Sequence, residues 1–195
     1  MILGDPGSII GNNLSTPTDE SSRERLYLNI ARPAPCNGTI REFGYCYYGR
    51  DDDDRDAYRV LLSIYRLMDR NSYTSITNTV SIIKRTPLSE VPLADALLPG
   101  FNCDTVVLEE SVQVLEGDVI GACVADNDFF EELDVVSESN NGDLMFYIDA
   151  DDINDCESLP VTISDNLRAT RDRILHIFAE ICKLSSLCIG HCTTS

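Results

Sequence analysis

The sequence contains no tryptophan and only two histidines, His176 and His191. Neither histidine lies in a recognisable acid–base arrangement. The chain has no nucleophile elbow, phosphate-binding glycine loop, dinucleotide fingerprint or zinc-protease motif. A glycosidase needs only two carboxylates and no linear motif, so a small secreted hydrolase remains an alternative. The sequence as a whole predicts a protein that is not an enzyme.

Basic residues are also scarce, since 15 lysines and arginines face 33 aspartates and glutamates, for a net charge of −18. Such a chain offers few cations to displace the counterions of nucleic acids or anionic lipid headgroups. We therefore expect no nucleic-acid partner, and expect cations or basic proteins to bind better. The simplest interpretation of the acid excess is that it keeps a secreted protein soluble.

No hydrophobic run reaches the roughly 18 residues that predict a membrane-spanning helix. The first residues lack the basic start and apolar centre of a signal peptide. We expect no membrane insertion, and expect either a mature chain or a fragment of a longer protein.

Eight cysteines are present, an even and high number. This predicts disulfide bonds, and therefore an oxidising compartment. Two glycosylation sequons, Asn13-Leu14-Ser15 and Asn37-Gly38-Thr39, agree with that location. We therefore expect an extracellular or secreted glycoprotein with glycans at Asn13 and Asn37.

Apolar residues from Arg23 onward recur with a period of two, as in Leu26, Leu28 and Ile30, and glycine, proline, asparagine and aspartate separate the runs. Many short strands divided by such residues predict an all-β protein with an antiparallel β-sandwich. Both a jelly roll and an immunoglobulin-like arrangement fit. The further predicted strands cover residues 38–48, 58–64, 76–85, 105–109, 112–115, 119–125, 133–136 and 143–148.

The predicted organisation has three parts. Residues 1–22 are rich in small and polar residues, which predicts a flexible N-terminal arm. Residues 23–181 form the sandwich, with a long irregular connection over the proline-containing segment 86–100. Residues 182–195 form a cysteine-rich tail, interpreted as the truncated start of a neighbouring module.

The segment 165–181 is ambiguous. Leu167, Ile174 and Phe178 fall at helical spacing behind a Ser164-Asp165 cap, which slightly favours a C-terminal helix. Alternate residues of 175–181 are also apolar, which is the period of a strand.

Four cysteines are disulfide candidates within the sandwich: Cys36, Cys46, Cys103 and Cys123. Ten extended residues span about 33 Å, whereas bonded Cα atoms lie about 5.5 Å apart. A Cys36–Cys46 bond would therefore require the chain to fold back between them. Pairing between strands, as Cys46–Cys123 and Cys36–Cys103, avoids this difficulty and is preferred.

An acidic cluster near the end of the predicted sandwich is the best candidate for a metal site. Calcium binds carboxylate and carbonyl oxygens, which a loop at a sandwich edge can supply. The spacing does not match an EF-hand, and simple solvated loops are the competing interpretation. Asp51–Asp54 is a weaker candidate, and four other acidic residues could join the site: Asp126, Asp128, Glu131 and Glu132. The candidate ligands are Asp149, Asp151, Asp152, Asn154 and Asp155.

Other features give weaker signals. Cys182, Cys188, His191 and Cys192 fit a zinc site poorly, since no C-x₂-C knuckle is present. Leu133-Asp134-Val135 matches a short integrin-recognition tripeptide that arises easily by chance. Several tyrosines could stack on sugars, so a calcium-dependent, lectin-like domain is the alternative function. These tyrosines are Tyr45, Tyr47, Tyr48, Tyr58 and Tyr65.

Three stretches of the chain form a recognisable set: ARPAPCNGT (31–39) leading to YCYY (45–48), FNCD (101–104) leading to VLEGDVIGAC (114–123), and RILHIFAEI (173–181). Together they resemble the extracellular, cysteine-containing β-sandwich modules of multidomain surface and secreted proteins of sponges. The resemblance covers roughly residues 24–181. It implies that 173–181 is the last strand, and that the chain is a structural, adhesive or recognition module with an extracellular protein or glycan as partner. It transfers no catalytic residue, and residues 182–195 depart from its pattern.

Overall fold

A computed structural model describes residues 9–12, 26–49, 59–67, 80–92, 100–124, 136–138, 144–148, 162–163, 168–170 and 173–183. Every regular element in these ranges is a β-strand, and none contains a helix long and apolar enough to span a membrane. The strands are β1 (Ile9–Gly11), β2 (Leu26–Asn29), β3 (Gly38–Gly49), β4 (Arg59–Leu67), β5 (Val80–Pro92), β6 (Gly100–Val114), β7 (Val119–Val124), β8 (Val136–Glu138), β9 (Met145–Ile148), β10 (Thr162–Ile163), β11 (Arg168–Thr170), β12 (Arg173–Leu175), β13 (Ile177–Glu180) and β14 (Cys182–Lys183).

The described strands form two large antiparallel sheets and one small one. The five-stranded sheet has the order β1-β13-β3-β14, with β6 also paired to β3. The seven-stranded sheet has the order β10-β5-β4-β7-β2-β9-β11, and β12 pairs separately with β8. Among the described strands β1 to β7, consecutive strands lie in different sheets at β1–β2, β2–β3, β3–β4, β5–β6 and β6–β7. Most neighbours in a sheet are therefore distant in sequence.

The two large sheets share one hydrophobic interior. Apolar residues of β1, β3 and β13 in the five-stranded sheet cluster with residues of β2, β4 and β7 in the other sheet. This packing confirms the predicted disulfide-bonded, all-β sandwich. Buried members include Ile10, Tyr27, Ile40, Phe43, Leu62, Ile64, Ile120, Ala122, Ile177 and Ala179.

The seven-stranded sheet is buried on its opposite face as well. Leu26 and Leu28 belong to a second cluster there, whereas Tyr27 between them lies in the shared interior. All four residues of β2 are buried. The predicted alternation is therefore present, but here it separates two hydrophobic clusters rather than core from solvent. The second cluster also contains Ile30, Leu61, Tyr65, Leu67, Val119, Cys123 and Phe146.

Gly121 of β7 permits close packing in this second cluster. A Cβ atom there would lie 2.6 Å from the carbonyl oxygen of Tyr27 and 2.8 Å from side-chain atoms of Leu28 and Tyr65. Because the carbonyl belongs to a paired strand, it cannot move aside cheaply. We expect Gly121→Ala to lower the free energy of unfolding by about 1–3 kcal/mol, measured by urea denaturation.

Gly44 of β3 provides the matched control for that substitution. The three atoms nearest to a Cβ atom at Gly44 all belong to the ring of Phe178, which is half-buried and can turn. Gly44→Ala should therefore cost less than Gly121→Ala. Equal losses at the two positions would contradict the packing argument.

Residues 9–12 correct the prediction of an N-terminal flexible arm. Strand β1 pairs with β13, with Ile10 opposite Ala179 and fully buried. The backbone N–H of Asn12 donates to the carbonyl of Ile177 at 3.0 Å. Two adjacent isoleucines supply enough apolar surface for a short strand, although the surrounding composition is polar.

The C-terminal segment is strand where it is described, so the helix favoured by spacing is wrong. Strands β11, β12 and β13 cover most of residues 168–180, and Ile177 lies opposite Tyr45 of β3. Pairing and burial override the helical spacing, and the segment is extended as the resemblance implied. Cys182 pairs with Thr39 of β3, so residues 182–183 belong to the sandwich rather than to a neighbouring module.

The predicted irregular connection over residues 86–100 is also wrong where it is described. Strand β5 extends to Pro92, and β6 begins at Gly100. Pro87 lies where the β4–β5 register shifts between Leu62 and Ser63. A proline, which has no N–H to donate, is tolerated at such a bulge.

Candidate functional site

A disulfide bond joins the neighbouring strands β3 and β6. Cys46 and Cys103 lie directly opposite each other in register, with 2.01 Å between sulfurs and 4.0 Å between Cα atoms. Cys46 is fully buried, whereas Cys103 is exposed. The bond therefore ties the outer strand β6 of the five-stranded sheet to β3, which lies inside that sheet.

The preferred pairings Cys46–Cys123 and Cys36–Cys103 are wrong, because Cys46 bonds Cys103. Cys123 lies on β7 in the other sheet, on the face that carries the second hydrophobic cluster. Cys36, Cys123 and Cys182 are each disulfide-bonded as well. No cysteine in the described part of the chain is free.

A row of aromatic rings lines the inner face of β3. Ring centroids of Phe43 and Tyr45 lie 6.2 Å apart, and those of Tyr45 and Tyr47 lie 5.9 Å apart. Both tyrosines are only 6% exposed. They belong to the shared hydrophobic interior, and fully buried Tyr65 belongs to the second cluster, so none of these three rings is open to stack on a sugar. Tyr58 lies outside the described residues.

A carboxylate lies opposite the middle ring of this row. Asp104 of β6 is exposed and lies opposite Tyr45 in the β3–β6 ladder. Burial, followed by the charges of Asp104 and Tyr47, raises the pKa of Tyr45 from 10.0 to about 12. Burial and Asp104 raise the pKa of Tyr47 in the same direction. Both hydroxyls stay protonated at neutral pH and are not bases.

The raised pKa of Tyr45 predicts a loss of stability at alkaline pH. Between pH 10.0 and about 12 the unfolded tyrosine has lost its proton while the folded one retains it. The native state then binds more protons, so the free energy of unfolding falls as pH rises through this window. Urea denaturation of wild type and Tyr45→Phe across the window should show a shallower fall in the variant. Parallel curves would contradict the assignment.

A buried ion pair fixes the connection between β6 and β7. The guanidinium of Arg66 donates from Nε to Oδ1 of Asp118 at 2.9 Å and from Nη2 to Oδ2 at 2.8 Å. The side chain of Asp118 is 1% exposed and that of Arg66 is 24% exposed. The hydrogen bond to Asp118 is the main cause of the raised pKa of Arg66. The register explains the contact, since Tyr65 and Val119 are directly paired.

Asp118 also closes the turn at residues 115–118. Its Oδ2 accepts the backbone N–H of Leu115 at 2.8 Å, while Gly117 has a positive φ of 83°. The sequence pattern did not predict this ion pair. Nothing local in the sequence marks Arg66, 52 residues away, as its partner.

The 115–118 turn holds the 31–37 loop that precedes β3. Ala34 exchanges two backbone hydrogen bonds with it, accepting from Gly117 and donating to Asp118, both at 2.7 Å. The Oδ1 atom of Asn37 accepts the N–H of Glu116 at 2.8 Å. The loop and the turn therefore form one hydrogen-bonded end of the sandwich.

His176 is the one histidine that the structure describes, and it is fully buried between β12 and β13. Its carbonyl accepts the N–H of Cys46 at 2.9 Å, which continues the β13–β3 ladder. Its position is that of an interior residue.

The predicted calcium ligands Asp149, Asp151, Asp152, Asn154 and Asp155 all lie outside the described residues, as do Asn13, Asp51–Asp54, the 126–135 acidic and tripeptide segment, and Cys188, His191 and Cys192. Among the residues that the structure does describe, no group of three or more His, Cys, Asp or Glu is placed to hold a metal ion.

Comparison with protein-family models finds no match, and comparison with curated proteins and with solved structures finds no significant match.

Proposed function

We propose that this chain is an extracellular structural or adhesive module that recognises another extracellular protein or a glycan and has no catalytic activity. One observation carries the proposal: three described side chains capable of acid–base chemistry are buried in the fold and hold it together. His176 is fully buried, Asp118 is paired with Arg66, and Tyr45 packs between neighbouring rings.

Three further observations support an extracellular module. Disulfide bonds persist in oxidising compartments. All five cysteines in the described part of the chain are disulfide-bonded. The resemblance to sponge surface modules suggests a chain that acts beside other modules. An excess of acidic residues would keep such a secreted glycoprotein soluble.

An adhesion assay tests the proposal with the full chain. Beads coated with the oxidised protein should aggregate or retain cells, and should bind proteins or glycans immobilised from extracellular matrix. The matched control carries the same chain after reduction and alkylation, and it should lose this binding. Equal absence of binding by both forms would contradict the proposal, and turnover of chromogenic glycoside or ester substrates would support the hydrolase alternative.

The calcium-dependent, lectin-like alternative is tested on the same material. Native-state binding of calcium would raise the melting temperature, and a chelator would reverse the change. A reversible shift of several degrees at millimolar calcium would favour that alternative. An unchanged melting temperature, together with binding in the adhesion assay, would favour the structural or adhesive module.

A further inference from the structure

We propose that Asn37 carries an N-linked oligosaccharide on Nδ2 while its Oδ1 remains bonded to the 115–118 turn. The inference rests on the extracellular location within the proposed function, and it adds to the glycan predicted at Asn37 a fixed orientation for the sugar. Asn37 begins the sequon Asn37-Gly38-Thr39 and is exposed to solvent.

The hydrogen bond determines which atom of the amide is available. The backbone N–H of Glu116 is a donor, so the atom that receives it at 2.8 Å must be the carbonyl oxygen Oδ1. The assignment therefore does not depend on distinguishing oxygen from nitrogen. Nδ2, the atom that N-glycosylation modifies, takes no part in this bond.

The chemistry preserves the contact with the turn. In the transfer, Nδ2 attacks the anomeric carbon of a lipid-pyrophosphate-linked oligosaccharide. A carbon–nitrogen bond forms, the bond from carbon to the pyrophosphate oxygen breaks, and Nδ2 gives up one proton. The product is still a secondary amide whose oxygen has two lone pairs, so Oδ1 can accept from Glu116 as before.

The surrounding backbone allows a bulky group at this position. Asn37 is the last residue of the 31–37 loop, and β3 begins at Gly38, which is buried. The backbone thus passes from the exposed Asn37 to a buried, paired strand within one residue. The sugar therefore projects from this end of the sandwich.

The test uses the full chain, secreted from eukaryotic cells behind a heterologous signal peptide. Mass spectrometry of the peptide containing Asn37 should show an N-glycan on most molecules. Thr39→Ser keeps the sequon and should keep the glycan, whereas Thr39→Ala should lose it completely. Because both variants change the same side chain and leave Asn37 intact, they are matched.

Hydrogen exchange at the Glu116 amide tests the second half of the proposal. Glycosylated wild type and Thr39→Ala should exchange at similar rates, because both retain Oδ1. Asn37→Asp also retains an acceptor, whereas Asn37→Ala should exchange roughly two- to tenfold faster. Faster exchange on glycosylation alone would overturn the retained contact.

An unmodified Asn37 in secreted, disulfide-bonded protein would overturn the modification site itself. That result would leave the adhesive function standing, since the adhesion assay does not depend on the sugar. Conversely, a glycosylated chain that binds neither cells nor matrix would end the proposed function while the modification remained.

Discussion

Replacing Asp118 with alanine is expected to lower the free energy of unfolding by about 3 kcal/mol. The substitution leaves the guanidinium of Arg66, which is 24% exposed, without its bidentate partner. It also removes the acceptor of the Leu115 N–H. Breaking a buried pair on one side costs roughly 3–5 kcal/mol, and the partial exposure of Arg66 places the estimate at the lower end. Equilibrium urea denaturation measures the change.

Two controls separate the ion pair from general damage to the turn. Glu116 is an exposed neighbour in the same turn, and its side chain contacts no described partner. Glu116→Ala should therefore change the free energy of unfolding by less than about 0.5 kcal/mol. Asp118→Asn keeps the size of the side chain and one acceptor, so it should cost less than Asp118→Ala.

A double-mutant cycle with Arg66→Met gives the coupling between the two residues directly. We expect a coupling above about 1 kcal/mol, because both charged groups share two hydrogen bonds. If Asp118→Ala unfolded at the wild-type urea concentration, the ion pair would have no role in holding the 115–118 turn.

Local periodicity predicted most of the strands, because each strand's own side chains determine which faces can be buried. Leu26 and Leu28 are an example, and residues 38–48 are another, since they correspond closely to β3. The failures have equally local causes. Apolar residues of the segment 165–181 fall at helical spacing, but its described part forms strands because it pairs with β3 and β9. The segment's own sequence does not encode these partners.

The contacts that fix the site depend on sheet order, and sheet order was not readable from the sequence. Cys46 meets Cys103 because β6 lies beside β3, although 57 residues separate them. Asp118 meets Arg66 because β7 lies beside β4. A carboxylate after Glu-Gly resembles a solvated turn residue, so only its burial reveals the ion pair.

The roles of Tyr45 and Tyr47 could not be predicted from the sequence either. An aromatic-rich strand fits both a sugar-stacking surface and a sandwich core, and composition does not separate them. Their 6% exposure assigns them to the interior. Asn37 differs, because a sequon is a local signal, and the structure adds the orientation of its amide.

Removing the Cys46–Cys103 bond by the double substitution Cys46→Ala and Cys103→Ala is expected to cost about 2–4 kcal/mol of unfolding free energy. The bond closes a separation of 57 residues, for which the loss of loop entropy in the unfolded chain is about 4 kcal/mol. Cys36, Cys123 and Cys182 are also bonded, so the unfolded chain is already restricted and the loss falls below that limit.

Packing must be separated from chain entropy, because Cys46 is fully buried and alanine leaves space behind it. Valine at position 46 with alanine at 103 refills that space while still omitting the bond. If restriction of the unfolded chain dominates, both double variants should lose similar stability. If the valine variant recovers most of the loss, the bond acts mainly by filling the interior of the sheet. Wild-type stability in both variants would mean that hydrogen bonding along β3 and β6 alone holds the outer strand in place.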